Sequence, residues 1–309
     1  MSQDSYGNSF AQFHEGASHH VMLAGHIDEI GLIITYIDDE GFLYIKTVGG
    51  WDSQQLVGQR VRVVGFKGQE LLGVIGKKPI HLMKASDRDK VSLVEDMWID
   101  IGAKNKTEAL QYVRVGDFAV IEQPLIELLN GRLVSKAIDN RIGAYIVLEA
   151  AKRAASQSDK VAISAVATVQ EEIGGIGAYV ASYRLKPDVA IAVDVTHATD
   201  VPGINKKQDG EVPLASGACL SIGSYVHRGT LDKLIEVAKA GGVGYTLEPA
   251  PRNTYTDADD IAKNRHGVPS AVVSIPNRYM HSPNEMIDIA DVEALISLIE
   301  AFILNLATP

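Results

Sequence analysis

Apolar residues are patterned in two ways along this chain. From Gly31 to Gln123 the runs are short and β-like: GLIITYID, GFLYIKTV, QRVRVVGF, LLGVIGKK and DFAVIEQ, separated by turns of Gly, Asp and Lys. Asp38-Asp39-Glu40-Gly41 reads as a hairpin loop, and only KTEALQ, from Lys106 to Gln111, predicts a helix. This pattern predicts a small all-β unit over residues 30–123, a barrel or a sandwich. After Asn130-Gly131 the rhythm changes. IGAYIVLEAAKRAA favours helix, with Asp139 or Asn140 as its N-cap. There follow a strand (Val161 to Val169), a helical stretch (GAYVASYR), a strand (Val189 to Val195) and the apolar run LASGACLSIG. LDKLIEVAKAGG is a helix ending in glycine. SAVVSI is a strand, and Val292, Leu295, Ile296, Ile299, Phe302, Ile303 and Leu306 mark a closing amphipathic helix. Strands alternating with helices predict an α/β fold with a mostly parallel central sheet flanked by helices. Val21 to Ala24 reads as one more strand of that sheet. The α/β domain then comprises residues 1–29 and 124–309, with the β unit inserted at 30–123.

Chemistry gathers where the apolar strands end. Val21 to Ala24 runs into His26, Asp28 and Glu29, and Val161 to Val169 into Glu171 and Glu172. Val189 to Val193 runs into Asp194, SAVVSI leads to His281, and Asp139 opens the first long helix. Parallel strands place their carboxyl ends along one edge, where open α/β sheets form their ligand crevice. Adjacent residues leaving a strand point in different directions, so Glu171 and Glu172 are able to do different work. Two histidines and several carboxylates drawn together repel in a low dielectric. Divalent ions resolve that repulsion, and imidazole with carboxylate suits zinc or a similar first-row ion. The histidines near the amino terminus, His14, His19 and His20, do not make a zinc helix. In HEGASH the second histidine falls one residue too late to share a helical face with the first.

Composition narrows the partners. A net charge of −10 with no long basic run argues against nucleic acid. No run of 18 apolar residues occurs and MSQDSYGNSF lacks a signal peptide's apolar core, which predicts a cytoplasmic protein without a membrane role. The single cysteine, Cys219, excludes an internal disulfide. EIGGIGA lacks the third glycine of a dinucleotide fingerprint, and neither a GxSxG elbow nor a phosphate-binding P-loop is present. Arg141, Arg252 and Arg278 remain candidates for a substrate pocket, and Asp257 in TDAD is either a helix cap or a supporting acid.

In order, GHIDEIG (25–31), GGWD (49–52), KAIDNRIG (136–143), VQEEIGGIGA (169–178), AVDVTHATDVPG (192–203), TDAD (256–259) and RYMHSPNE (278–285) span nearly the whole chain. The set resembles the two-metal aminopeptidases of the glutamyl or deblocking family, which include the tetrahedral aminopeptidases and members labelled endoglucanases. The resemblance implies a zinc-exopeptidase-like fold. It also implies that hydrolysis of N-terminal residues from short peptides uses two divalent ions, zinc first with cobalt or manganese as alternatives. Carried over, Asp139 bridges two ions, His26 and Asp194 complete one site, and Glu172 and His281 complete the other. Three carboxylates against two dications leave one positive charge, which a bridging hydroxide cancels. Glu171 is then the general base, and Asp28 orients the His26 imidazole. The inserted β domain is expected to form dimers that build a homo-oligomer, up to a dodecamer. Two alternatives stand beside this. One is a related two-metal amidohydrolase, a deacylase or carboxypeptidase. The other is a truncated, non-catalytic assembly subunit, because relatives carry a further helical segment before the stretch matching SYGNSFAQF.

Overall fold

The computed structural model describes residues 1–307. The chain opens with three strands, β1 (Ser2–Gln3), β2 (Ser9–Phe13) and β3 (His19–His26). Next come β4 (Gly31–Ile37), β5 (Leu43–Val48), β6 (Arg60–Val64), β7 (Glu70–Lys77), β8 (Met97–Asp100), the one-turn α1 (Lys106–Ala109) and β9 (Phe118–Ile121). Two short strands, β10 (Ile126–Leu128) and β11 (Arg132–Ser135), lead into α2 (Ile138–Gln157). The remainder alternates: β12 (Val161–Thr168), α3 (Ile176–Leu185), β13 (Val189–His197), α4 (Lys206–Asp209), β14 (Ala218–Gly223), α5 (Arg228–Gly241) and β15 (Tyr245–Ala250). It closes with α6 (Asp257–Ala262), β16 (Ser270–Asn277), β17 (Glu285–Asp288) and α7 (Ile289–Leu306). The chain forms two compact units, one of residues 1–28, 126–280 and 285 onward, the other of residues 29–125 and 281–284.

In the first unit eight strands form a sheet in the order β1-β2-β12-β3-β13-β16-β14-β15. The middle is parallel: β12 pairs with β3, β3 with β13, and β13 with β16. The junctions with the flanks are antiparallel, β2 against β12 and β14 against β16, while β14 and β15 pair parallel with each other. Only the turn at residues 14–18 joins β2 to β3, too short for the crossover that parallel strands require. Seven of the eight residues of β12 are buried, as expected of a strand covered on both faces. On one face Val21, Leu23, Ile163, Ile191 and Val273 pack with Ile146, Leu234, Leu295 and Phe302 from α2, α5 and α7. On the other, Met22, Ala24, Val166 and Ala190 meet Ala178 and Ala181 of α3 and Ile261 of α6. The Asp288 side chain caps α7 by accepting the Ala290 N–H, and Gly242 ends α5 in the left-handed conformation.

In the second unit β4-β5-β8-β7-β6-β9 close a barrel. Its interior is filled by alternate residues of these strands, among them Leu32, Ile34, Val61, Val63, Ile75, Ile99, Ala119 and Ile121. The Asp38 side chain holds its hairpin turn by accepting the Phe42 N–H at 2.8 Å.

Candidate metal centre

His26, the last residue of β3, is 1% exposed. Its Nε2 lies 3.1 Å from Asp139 Oδ1, 3.7 Å from Asp194 Oδ1 and 3.7 Å from Glu171 Oε2. Four elements therefore deliver these groups: β3, the start of α2, β13, and the turn after β12. His26, Asp139 and Asp194 each offer one ligand atom with all three atoms within 4.8 Å of one another.

Local structure explains the convergence. β3 and the start of α2 touch backbone to backbone: a Cβ on Gly25 would stand 2.6 Å from the Gly143 carbonyl carbon, so only glycine admits this approach. Asp139 and Asn140 have non-helical backbone angles within α2, and the peptide between them is cis. The regular helix begins after Asn140, whose Oδ1 accepts the Gly143 N–H at 3.0 Å as an N-cap does. Of the two cap candidates, Asn140 fills that role. Its Nδ2 also donates to the Val193 carbonyl at 2.7 Å, tying α2 to the residue before Asp194. The Asp139 N–H donates to Glu285 Oε2 at 2.9 Å.

The turn carrying the two glutamates is equally fixed. Gln170 takes a left-handed φ of 62°. The Glu171 and Glu172 N–H groups then donate to Asp28 Oδ1 and Oδ2, each at 3.2 Å. Asp28 thus clamps the turn with its carboxylate. Towards His26 it presents its carbonyl oxygen, 3.2 Å from Nδ1, with Oδ1 at 3.5 Å.

Charge in this pocket is concentrated and buried. Burial, and then the neighbouring Asp194 carboxylate, push Glu171 up to about 9. Burial also raises Asp194. Burial works against a charged His26 imidazole, but the carboxylates of Asp139, Asp194 and Asp28 outweigh it and hold the group well above its ordinary value. Burial would raise Asp28, yet His26 and the amides of residues 171 and 172 hold it low. Burial lifts Asp257 to about 7.

The donor set fits a metal ion. His26 Nε2 is buried and makes no hydrogen bond although three carboxylate oxygens lie around it. Imidazole nitrogen and carboxylate oxygens are the ligands that first-row dications accept, and the opposite Nδ1 contact to a carbonyl is the usual orienting partner.

His281 stands after β16 with a φ of 58°, in the segment 281–284 that groups with the second unit. Arg278 is engaged by Asp200, with Nε and Nη2 at 2.8 and 2.7 Å from its two oxygens, and Arg252 is exposed. His14 Nε2 contacts the Ala155 carbonyl and His20 Nε2 contacts Ser164 Oγ, each at 2.9 Å. Burial pushes the Cys219 thiol up to about 12, so it stays inert. Thr256, not Asp257, caps α6. Sequence reasoning missed Asn140 and Glu285 as supports of this site. The only local signal was their membership of KAIDNRIG and RYMHSPNE.

An α/β sheet with histidine and carboxylates buried at its strand ends has the donor set of a metal-dependent enzyme. Residues 7–298 match the family described as M42 glutamyl aminopeptidase, and the chain belongs to that family. A lysyl aminopeptidase of Pyrococcus furiosus is 36% identical over 302 residues, covering 97% of this chain and 85% of that protein. The crystal structure of a TET aminopeptidase from a marine sediment Thaumarchaeota archaeon superposes with a TM-score of 0.91 at 36% identity, covering 98% of this chain and 85% of that one. The Pyrococcus horikoshii TET1 peptidase, which can assemble into a tetrahedron or a large octahedral shell, matches with a TM-score of 0.85 at 32% identity, covering 97% and 88%. The chain is accordingly an aminopeptidase, a metal-dependent hydrolase of N-terminal residues.

Proposed function

We propose that this aminopeptidase works with two divalent ions, zinc or failing that cobalt or manganese, and with Glu171 as its general base. The observation that carries the reading is His26 Nε2 facing three carboxylate oxygens from three separate elements within 3.7 Å. His26, Asp139 and Asp194 would hold one ion; Asp139, shared, would hold the second with Glu172 and His281. Bound there, such ions supply a Lewis acid and lower the pKa of water. Glu171 accepts the proton of the attacking water and returns it to the leaving amine. Asp28 keeps Glu171 in place by holding the amides of residues 171 and 172. His26, Asp139 and Asp194 are buried, which strengthens the electrostatic contacts among them.

Substrates are short peptides with a free N-terminus, following the family's activity. Residues 30–123 serve as a dimerisation domain inserted into the catalytic domain, and dimers build a larger closed homo-oligomer. The assemblies of the Pyrococcus horikoshii TET1 peptidase support that reading. The test is Glu171→Gln in metal-loaded protein, with metal content and hydrolysis of aminoacyl-anilides measured together. Retained metal with lost turnover supports the base assignment; near-normal turnover overturns it.

A further inference from the structure

One buried acid has no part in the chemistry described so far. Asp257 is 2% exposed, and as the first residue of α6 it would be expected to face water. Instead its Oδ2 accepts a hydrogen bond from Thr168 Oγ1. Its other oxygen, Oδ1, is buried and makes no hydrogen bond. A carboxylate buried with so few donors is costly, and a packing role would be met by an apolar side chain without that cost.

Thr168 is a telling partner. It ends β12, stands in register with His26 in the parallel pairing with β3, and its carbonyl accepts the Ile27 N–H at 2.9 Å. Glu171 follows three residues later. Every other residue of the turn has its own restraint. The Val169 N–H donates to Asn8 Oδ1 at 3.1 Å, the Val169 carbonyl accepts the Gly177 N–H at 3.1 Å, and Asp28 takes the amides of the two glutamates. Without Asp257, Thr168 would be held only by the strand ladder at the point where the strand leaves the sheet. A general base must stay within hydrogen-bond reach of the proton it takes, and a displacement of about 1 Å costs on the order of 10²-fold.

We propose that Asp257 is a positioning residue for the peptidase reaction, holding through the Thr168 hydroxyl the end of β12 from which Glu171 departs. This rests on Glu171 being the base. Both readings are tested together by steady-state hydrolysis of an aminoacyl-anilide, with metal content, in wild type, Thr168→Val, Asp257→Ala, their double variant, Asp257→Asn and Glu171→Gln. Thr168→Val and Asp257→Ala are each expected to lower kcat about tenfold or more, with KM within about threefold and metal content unchanged. The double variant should be no worse than the poorer single, because one hydrogen bond is being removed twice. Asp257→Asn, whose amide oxygen still accepts from Thr168, should recover at least about a third of wild-type kcat.

An unchanged kcat in Thr168→Val, or losses that multiply in the double variant, overturns the proposal. So does an Asp257→Asn variant as impaired as Asp257→Ala. Should Asp257→Ala fail to fold, the contrast between Thr168→Val and Asp257→Asn decides alone. Normal turnover in Glu171→Gln sinks the base assignment instead, whereas an inactive Glu171→Gln beside normal Thr168→Val sinks only the role of Asp257.

Discussion

At the scale of single residues, the division of work proposed for the two adjacent glutamates rests on the surroundings of Glu171. Glu171 places Oε2 3.7 Å from His26 Nε2; burial and Asp194 raise it, and cations bound beside it would oppose that shift by favouring the ionised form that accepts a proton. A general base contributes on the order of 10²–10⁴-fold to rate, and Glu171→Gln should lose kcat in that range. Because the change leaves the backbone amide that Asp28 accepts, the turn and the ligand set should persist. Atomic analysis of the purified variant checks that point, and an assay on aminoacyl-anilides checks the loss. Asp28 illustrates a residue whose part was legible only in outline. The family resemblance implied that it orients His26, but its carboxylate clamps residues 171 and 172 while its carbonyl meets the imidazole. A contact between segments so far apart in sequence leaves no local pattern to read.

At the scale of elements, hydrophobic period carried most of the information. β12, β13 and β16 are visible as apolar runs because both faces are covered, and α7 shows its buried stripe at Val292, Leu295, Ile296, Ile299, Phe302 and Ile303. Phe302 is 1% exposed, in the layer formed by α2, α5 and α7. Phe302→Ala should cost about 3–5 kcal/mol, seen as a lower urea midpoint at unchanged slope; a loss under about 1 kcal/mol would contradict this packing. What escaped the sequence were short pieces. Residues 1–20 read as polar, yet Ser9–Phe13 supplies a strand of the main sheet with only Phe10 and Ala11 buried. β15 and the three-stranded sheet β10-β11-β17 carry mixed polar residues and were equally invisible. The antiparallel setting of β14 also escaped, since strand direction depends on connections, not composition. The start of α2 was legible as a capped helix, but the irregular backbone that aims Asp139 was not.

At the scale of the molecule, the first unit carries His26, Asp139, Asp194 and the two glutamates, and the second contains a closed six-stranded barrel. No described helix is long and apolar enough to cross a membrane. Stability should carry a signature of buried acid away from the centre. Asp291, in the first turn of α7, accepts the N–H groups of Ala215 and Gly217 at 2.8 and 2.7 Å, and burial raises it to about 6. Its folded pKa lies above its unfolded one, so the folded state binds the proton more tightly. Stability from this group is greatest below the ordinary value of 3.8 and is lost as pH rises towards about 6. The loss should be about 2 kcal/mol after allowing for partial hydration. Unfolding free energies of wild type minus Asp291→Asn, taken from pH 4 to 7, should fall by that amount; a flat difference would contradict it.

The central claim is that the buried carboxylates around His26 exist to hold divalent ions for peptide hydrolysis. Its most direct test is calorimetric titration of zinc into chelator-treated protein, beside the same titration of His26→Ala. The account predicts about two ions per chain, aminopeptidase activity returning in step with them, and loss of the site nearest His26 in the variant. Wild-type protein that takes up no zinc, or that hydrolyses aminoacyl-anilides fully without it, would contradict the account.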